Sequence, residues 1–437
     1  MKSKLSLFSL ILFVLFSCFS SFSYPASHLS VSNDDIKGTW QGSLGGALRI
    51  VIRIYASDSG YLKAEMDSPD QKAYGLHCDT VIFDGSNITL KLNQVSGYFE
   101  GKYNQDSISI VGNWYQNKSM MPLTIKKVNN VEEINQQLNP KPLLPNEVSI
   151  EVDGCRLVGT LKVPKSDKPV ELVLIIAGSG PTDRDGNTPM LAGKNNSLKM
   201  ISELLESNGI ASLRFDKRGI GASDKVNESE LTFDNYVNDA VEWIKFLRND
   251  NRFSKIIIIG HSEGSLIGMI AANKTTIDKY ISLCGAGEPI YNTILTQLKN
   301  NKTSQEIMNN CVEIIDSLKA GYMVKNIDPS LNMLFRPSVQ PYIISWFKYD
   351  PCKEISKLTI PILVVGGTTD LQVDVNDAKL LSKAEPNAKL YIIENMNHIL
   401  KDVPTTDRME NFKSYSNPDL PLSPVLSKAL VEFIKKQ

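Results

Sequence analysis

The pattern of apolar and polar positions changes character along the chain. Residues 36–128 hold short runs of β-branched and apolar residues, and turn sequences such as Asp84-Gly85 separate some of these runs. Several short strands at this spacing predict a small all-β domain, either a barrel or a sandwich. The runs that we predict as strands are Val51–Ile54, Val81–Phe83, Ile88–Leu92, Ile108–Val111 and Leu123–Ile125.

Residues 129–147 are polar and contain three prolines, which predicts a linker. From residue 148 to 437, apolar strand-like runs alternate with amphipathic helical patterns. This alternation predicts an α/β fold with a mostly parallel sheet that is covered by helices on both faces. The predicted strands are Leu172–Ile176, Ile210–Phe215, Ile256–Ile259, Lys279–Cys284, Ile360–Val365 and Lys389–Ile393.

The alternation is interrupted at residues 287–352. Within this insertion, apolar side chains recur at three- and four-residue steps, so they share one face of a helix. That face either forms the core of the insertion or lines a pocket for an acyl chain. Its members are Ile307, Cys311, Ile314, Ile315 and Leu318.

Residues 1–23 predict a signal peptide. Lys2 and Lys4 precede an apolar stretch, Leu5–Phe16, which is too short for a membrane-spanning anchor. We therefore expect export, to a periplasm or to the medium. A second processing route stays open, because Leu15-Phe16-Ser17-Cys18 resembles a bacterial lipoprotein box. Lipidation of Cys18 would tether the protein to a membrane.

Composition narrows the class of protein. A hydrophobic fraction of 42% excludes wholesale disorder, and a formal net charge of -1 removes the electrostatic case for nucleic-acid binding. Five cysteines follow Cys18, and none are in a Cys-x-x-Cys pair, so we expect neither a disulfide framework nor a zinc site. Cys311 with Cys352 is one bridge to consider, since both fall in the insertion.

A candidate nucleophile follows the Ile256–Ile259 strand directly. The sequence Gly260-His261-Ser262-Glu263-Gly264 is a Gly-x-Ser-x-Gly turn, and a helical run comes after it. Such a strand-to-helix turn holds the serine hydroxyl above the sheet and requires small neighbours. The alternative is a buried turn serine whose glycines serve close packing. The partners described next favour a nucleophile.

A serine nucleophile needs a base, and the chain has four histidines. His28 lies beside the leader and His77 lies in the β segment. We expect the tight turn to direct the His261 side chain away from the serine. His398, which follows the last core strand, is therefore the predicted base.

The base needs a carboxylate that fixes its tautomer and stabilises its cation. Asp370 follows the Ile360–Val365 strand and a Gly-Gly turn, which gives the chain order Ser, Asp, His of α/β-hydrolases. We predict Asp370, with Asp374 and Glu394 as competitors.

The developing oxyanion needs fixed donors. We predict the backbone N–H groups of Glu263 and of Ser179, with Gly180 as the second choice for the latter. This chemistry requires no metal and no organic cofactor.

Residues 148–437 resemble the α/β-hydrolase superfamily on these motifs. The segments Gly178–Asn187, Arg214–Gly221, Leu334–Pro341 and Trp346–Pro351 further resemble a bacterial serine carboxylesterase group with an N-terminal β domain. The resemblance implies ester hydrolysis and a cap formed by residues 287–352. Ala177 departs from the pattern, because many hydrolases carry histidine there.

We therefore expect a serine hydrolase that cleaves small-molecule carboxylic esters through an acyl-enzyme intermediate. The alternatives are a serine peptidase or amidase, an acyl thioesterase, and a non-catalytic envelope protein that binds lipid or glycan.

Arg184, next to the predicted oxyanion loop, either shapes the pocket or forms an internal ion pair. The oligomeric state stays open.

Overall fold

The computed structural model describes residues 32–44, 48–57, 60–71, 73–116, 119–128, 143–191 and 193–436. The predicted leader with Cys18 and residues 129–142 of the predicted linker lie outside these ranges, so they stay predictions of the sequence. Two compact units make up the described chain, one from most residues before Asn130 and one from those after it. No helix in the described ranges is long and apolar enough to cross a membrane.

The first unit is a single curled sheet of nine strands with the order β4-β3-β2-β1-β9-β8-β7-β6-β5. Its paired strands run antiparallel, as in β1 with β2 and β8 with β9. A short helix, α1 (Asn33–Ile36), precedes the strands. They are β1 (Gly38–Leu44), β2 (Leu48–Ala56), β3 (Leu62–Ser68), β4 (Ala73–His77), β5 (Thr80–Phe83), β6 (Asn87–Leu92), β7 (Gly97–Asn104), β8 (Ser109–Gln116) and β9 (Ser119–Val128).

Trp40 is the centre of the core of this unit. Its indole is fully buried, and its Nε1–H donates to the carbonyl of Ile36 at 2.7 Å, so the one polar atom of the ring is satisfied. Each of the five predicted strands overlaps an observed strand. The strands β1, β3, β4 and β7 were not predicted, because their sequences carry more glycine and charged residues.

The second unit holds an eight-stranded sheet with the order β10-β11-β13-β12-β14-β15-β16-β17. The two pairings at one edge, β10 with β11 and β11 with β13, are antiparallel, and the rest are parallel. The strands are β10 (Glu147–Val152), β11 (Cys155–Lys162), β12 (Val170–Ile176), β13 (Ala211–Phe215), β14 (Phe253–His261), β15 (Lys279–Leu283), β16 (Ile362–Gly367) and β17 (Lys389–Ile393).

Helices cover both faces of this sheet. They are α2 (Ser197–Ser207), α3 (Phe233–Arg248), α4 (Glu263–Lys274), α5 (Ile290–Asn300), α6 (Gln305–Lys319), α7 (Asn332–Phe335), α8 (Gln340–Trp346), α9 (Pro351–Ile355), α10 (Val375–Ala384), α11 (Arg408–Lys413) and α12 (Pro424–Lys435).

The central strand β14 shows why the sheet is buried on both faces. Ile256 and Ile258 pack into the core with α3 and α4, whereas Ile257 and Ile259 pack into the core with α2 and α12. Successive side chains of a strand point to opposite faces, so four consecutive isoleucines serve two cores.

The insertion between β15 and β16 contains α5 to α9. The apolar face of α6 packs into the large core, where Cys311 and Leu318 are fully buried, so this face belongs to the core of the insertion. The proposed Cys311–Cys352 bridge is wrong. All five cysteines in the described chain are free, and the Cys352 thiol donates to the carbonyl of Gly287 at 3.0 Å.

Shortening one isoleucine side chain of β14 should test this double-sided core. We expect Ile258→Ala to lower the free energy of unfolding by about 2–5 kcal/mol, because it leaves a cavity beneath α4. Val425→Ala, at a half-exposed apolar position on α12, should stay within about 0.5 kcal/mol of the parent. Denaturant titration of both variants measures the difference, and equal losses would contradict this packing.

Candidate active site

Ser262 occupies the turn between β14 and α4 in a backbone conformation that is rare for a residue with a side chain. Its φ is 54° and its ψ is -122°. The glycines on either side make the turn possible. A Cβ at Gly260 would lie 2.3 Å from the carbonyl oxygen of Gly264, and one at Gly264 would lie 2.3 Å from that of Ile176. The helix therefore approaches the sheet too closely for any other residue at these two positions.

Asp370 and His398 are joined directly. His398 Nδ1 lies 2.8 Å from Asp370 Oδ2, and both side chains are almost completely buried. The other carboxylate oxygen accepts hydrogen bonds from the amides of Gln372 and Val373 at 2.8 and 3.0 Å. Burial disfavours the charge of Asp370, but His398 and these two amides outweigh that effect and hold the pKa of the carboxyl below its ordinary value.

The two competing acids have other surroundings. Asp374 is the N-cap of α10, where its carboxylate accepts from the amide of Asn376 at 2.8 Å. Glu394 is exposed to solvent. Neither is hydrogen-bonded to His398 in the described chain, so the geometry favours Asp370 as the partner of the histidine.

Ser262 shares an edge of the sheet with this pair. The serine follows β14, Asp370 follows β16 and His398 follows β17, and the carboxyl ends of these parallel strands meet at one edge. Within the described residues, Ser262 Oγ makes no hydrogen bond, with His398 or with any other group. Such contacts are often long in a free enzyme and tighten only when substrate is bound.

The His261 ring lies against the ring of the predicted base. Its ring centroid is 4.9 Å from that of His398, and its Nε2 lies 2.8 Å from the His398 carbonyl oxygen. Burial and the nearby His398 lower the pKa of His261 to about 4, so the ring is neutral at pH 7 and its Nε2–H donates to that carbonyl. His261 therefore holds the backbone of the predicted base.

The two predicted oxyanion donors lie on segments that flank Ser262. Glu263 is the first residue of α4, and the amide of a first helical residue has no partner inside the helix. Ser179 follows Gly178, where a Cβ would lie 3.1 Å from Ser262 Cβ. The loop after β12 is therefore packed against the nucleophile turn. In the described chain, the Ser179 amide donates to no other protein group.

Two further buried groups were not predicted from the sequence. Cys284 follows β15, and its Sγ lies within 4.8 Å of ligand-type atoms of both Asp370 and His398. Burial and the charge of Asp370 raise the pKa of this thiol well above its ordinary value, so it stays protonated. Lys217, after β13, pairs with the Glu263 carboxylate at 2.9 Å, and both side chains are 2% exposed. No motif in the sequence marks either contact.

Arg184 is held in an ion-pair network. Its guanidinium lies 3.0 Å from Glu147 and 2.8 Å from Asp216, and it also donates to the Thr160 hydroxyl. Of the two roles considered for Arg184, the structure favours the internal ion pair that holds the loop after β12.

Comparison with known proteins places the chain among hydrolases. A family model described as "Serine aminopeptidase, S33" matches residues 193–310. Esterase EstD of Thermotoga maritima is 28% identical over 309 residues, which cover 69% of this chain and 71% of that protein.

Solved structures are also similar in part. Est1E from Butyrivibrio proteoclasticus with bound ferulic acid is 21% identical, with a TM-score of 0.44 over 66% of this chain and 100% of that chain. A bromoperoxidase from Bacillus anthracis is 17% identical, with a TM-score of 0.42 over 66% of this chain and 98% of that chain.

The sheet order and the strand–turn–helix around Ser262 give the second unit an α/β-hydrolase fold. These matches confirm the resemblance to the α/β-hydrolase superfamily that the motifs predict. The predicted fold class, an α/β-hydrolase fold preceded by an all-β unit, is confirmed as well.

The depressed pKa of His261 should appear in the pH dependence of stability. His261 gains a proton near pH 6.5 when the protein is unfolded, but only near pH 4 when the protein is folded. Stability is therefore fully present above about pH 6.5 and falls between pH 6.5 and 4, by up to about 3 kcal/mol from this group.

The variant His261→Gln isolates this contribution. Glutamine keeps an N–H donor near the position of Nε2 but does not titrate. We expect the free energy of unfolding, measured by denaturant titration at pH 7 and pH 4.5, to fall more in the parent than in His261→Gln. An equal fall in both proteins would show that the folded protein does not hold His261 in its neutral form.

Proposed function

We propose that the protein is a serine esterase that hydrolyses small-molecule carboxylic esters through an acyl-enzyme intermediate. The observation that carries the proposal is the arrangement at one sheet edge, with a strained serine on the nucleophile turn and a buried histidine–carboxylate pair. Its likeness to Esterase EstD supports ester hydrolysis as the reaction.

The protonation of His398 follows from its contacts. Asp370 is ionised, so Nδ1 of His398 must carry the proton that lies between them at 2.8 Å. Nε2 is then left as an acceptor. In the proposed mechanism, Nε2 takes the proton of Ser262 as Oγ attacks the ester carbonyl, and Asp370 stabilises the imidazolium that forms.

The negative charge that develops on the carbonyl oxygen needs donors that are already in place. We assign this role to the amides of Glu263 and Ser179, each worth about 3–4 kcal/mol of transition-state stabilisation in comparable sites. The imidazolium then protonates the leaving alcohol. Water, activated by His398 in the same way, releases the acyl group from Ser262.

A second candidate reaction uses the same residues. The family model that matches residues 193–310 carries the description of a serine aminopeptidase, which favours amide cleavage as the alternative. Thioester cleavage needs no different machinery. A non-catalytic envelope protein that binds lipid or glycan is the alternative from another class, and the strained serine beside a buried acid–base pair argues against it.

A fluorophosphonate probe should test the nucleophile. We expect the parent protein to be labelled on Ser262 and the Ser262→Ala variant to remain unlabelled, as seen by intact-mass analysis. A panel of p-nitrophenyl esters, peptidyl p-nitroanilides and acyl thioesters then ranks the three reactions. Labelling that persists in Ser262→Ala, or turnover of amides alone, would contradict a serine esterase.

Replacing the acid should separate its role from simple packing. We expect Asp370→Asn to lower kcat by about four orders of magnitude, because an amide stabilises the wrong tautomer of His398 and no longer opposes the charge of the imidazolium. Asp374→Asn, which changes the competing acid, should leave kcat within about threefold of the parent. The opposite ranking of the two variants would assign the acid to Asp374.

A further inference from the structure

The ammonium group of Lys217 lies between the two segments that carry the predicted oxyanion donors. Its Nζ donates to the carbonyl oxygen of Gly178 at 2.6 Å and to Glu263 Oε2 at 2.9 Å. It also lies 4.8 Å from the centroid of the Tyr236 ring. An ammonium group has three donors, and these three neighbours occupy them while the side chain is fully buried.

The bond to Gly178 acts on the same peptide group as the predicted donor. The carbonyl of Gly178 and the N–H of Ser179 belong to one peptide unit, and this unit is planar and trans. In such a unit the C=O and N–H bonds point in opposite directions. When Lys217 fixes the direction of the carbonyl, it also fixes the direction of the Ser179 N–H.

The charge of Lys217 adds to this geometric effect. A hydrogen bond from an ammonium group draws electron density toward the carbonyl oxygen, and this polarisation makes the N–H of the same peptide a better donor. The side chains of Lys217 and Glu263 are each 2% exposed. Because little water reaches this ion pair, the polarisation of the Gly178 carbonyl is only weakly screened.

The counter-ion of Lys217 is the residue that carries the other donor. Glu263 contributes its backbone amide to the predicted oxyanion site and its carboxylate to Lys217. The remaining carboxylate oxygen, Oε1, accepts from the hydroxyl of Tyr342 on α8 of the insertion. Burial and the Glu263 charge raise the pKa of Tyr342 well above its ordinary value, which keeps the phenol protonated as a donor.

From these contacts we infer that Lys217 is a positioning residue that aims the Ser179 N–H at the oxyanion and links it to Glu263. Tyr342 extends this link to the insertion over the site. The inference deepens the proposed esterase function and rests on it. In the described chain, the Lys217 ammonium group bonds to Gly178 and Glu263 and not to Ser262, Asp370 or His398. Its contribution should therefore appear in transition-state stabilisation rather than in substrate binding.

Two variants test the inference in the full-length protein. Lys217→Met removes the cation alone. The triple variant Lys217→Met/Glu263→Met/Tyr342→Phe replaces the whole polar group by apolar side chains of similar size, an exchange that buried ion pairs often tolerate without loss of stability. It therefore provides a folded protein even if the single variant does not fold.

A second buried ion pair provides the matched control. Arg218 and Asp239 are also buried, and Arg218 Nε lies 2.8 Å from the carboxylate. In the described chain, neither side chain is hydrogen-bonded to the Gly178 loop. The variants Arg218→Met and Arg218→Met/Asp239→Leu should therefore reproduce any general loss of stability. We expect them to keep kcat within about twofold of the parent.

The readouts are kcat and KM for p-nitrophenyl acetate and the inhibition constant of an aryl trifluoromethyl ketone. The ketone forms a tetrahedral adduct with the serine, and its oxyanion requires the same donors as the transition state. For the Lys217 variants we expect kcat to fall about 10- to 100-fold. This loss is smaller than the roughly 100- to 1000-fold loss that follows removal of an oxyanion donor, because the Ser179 N–H is misdirected but still present. KM should change less than about threefold, and the inhibition constant should rise in parallel with the loss of kcat/KM.

Each outcome decides one of the two proposals. A folded Lys217 variant with kcat less than about fivefold below the Arg218 control overturns the positioning role, as does a loss of kcat without weaker ketone binding. Both results require a parent protein with Ser262-dependent ester hydrolysis. A parent that lacks this activity contradicts the proposed esterase itself.

Discussion

The close approach of helix α4 to the end of β14 is the constraint on which the site depends. The helix begins at Glu263, and Gly260 and Gly264 lack the Cβ atoms that would prevent this approach. The cost is a serine in a strained backbone conformation, of order 1–3 kcal/mol. The double-sided isoleucine core of β14 offsets this cost, because it fixes the strand that leads into the turn.

The parallel order of the strands brings the loops after β14, β16 and β17 to one edge of the sheet. The loops after β16 and β17 pack so closely that a Cβ at Gly367 would lie 2.0 Å from the carbonyl oxygen of Met396. This packing holds the Asp370–His398 pair, and His261 adds a hydrogen bond to the backbone of the base. The strained serine therefore shares this edge of the sheet with groups that are held in place, which fits the preorganised site that the proposed ester hydrolysis requires.

Two ion pairs are buried in this unit through neighbouring residues of the chain. Lys217 with Glu263 and Arg218 with Asp239 follow one another along the chain, yet they brace different regions. Buried ion pairs contribute little net stability compared with apolar packing. The position of the Lys217–Glu263 pair fits a role in aiming backbone groups, because this pair links the Gly178 loop and the turn at Ser262 to Tyr342 of the insertion.

The sequence alone determined the local features of the protein. The runs of isoleucine predicted the buried strands, the glycines around Ser262 predicted the turn, and the scarcity of histidines identified His398, since these signals depend only on neighbouring residues or on residue counts. The tertiary structure decided what depends on the packing of distant segments. It joined Asp370 rather than Asp374 to His398, turned His261 toward the base, left Cys311 and Cys352 unbridged, and buried Lys217 between Gly178 and Glu263. Such contacts link residues 28 to 137 positions apart, and no local pattern encodes them because each side chain's partner is set by how the strands are ordered in the sheet.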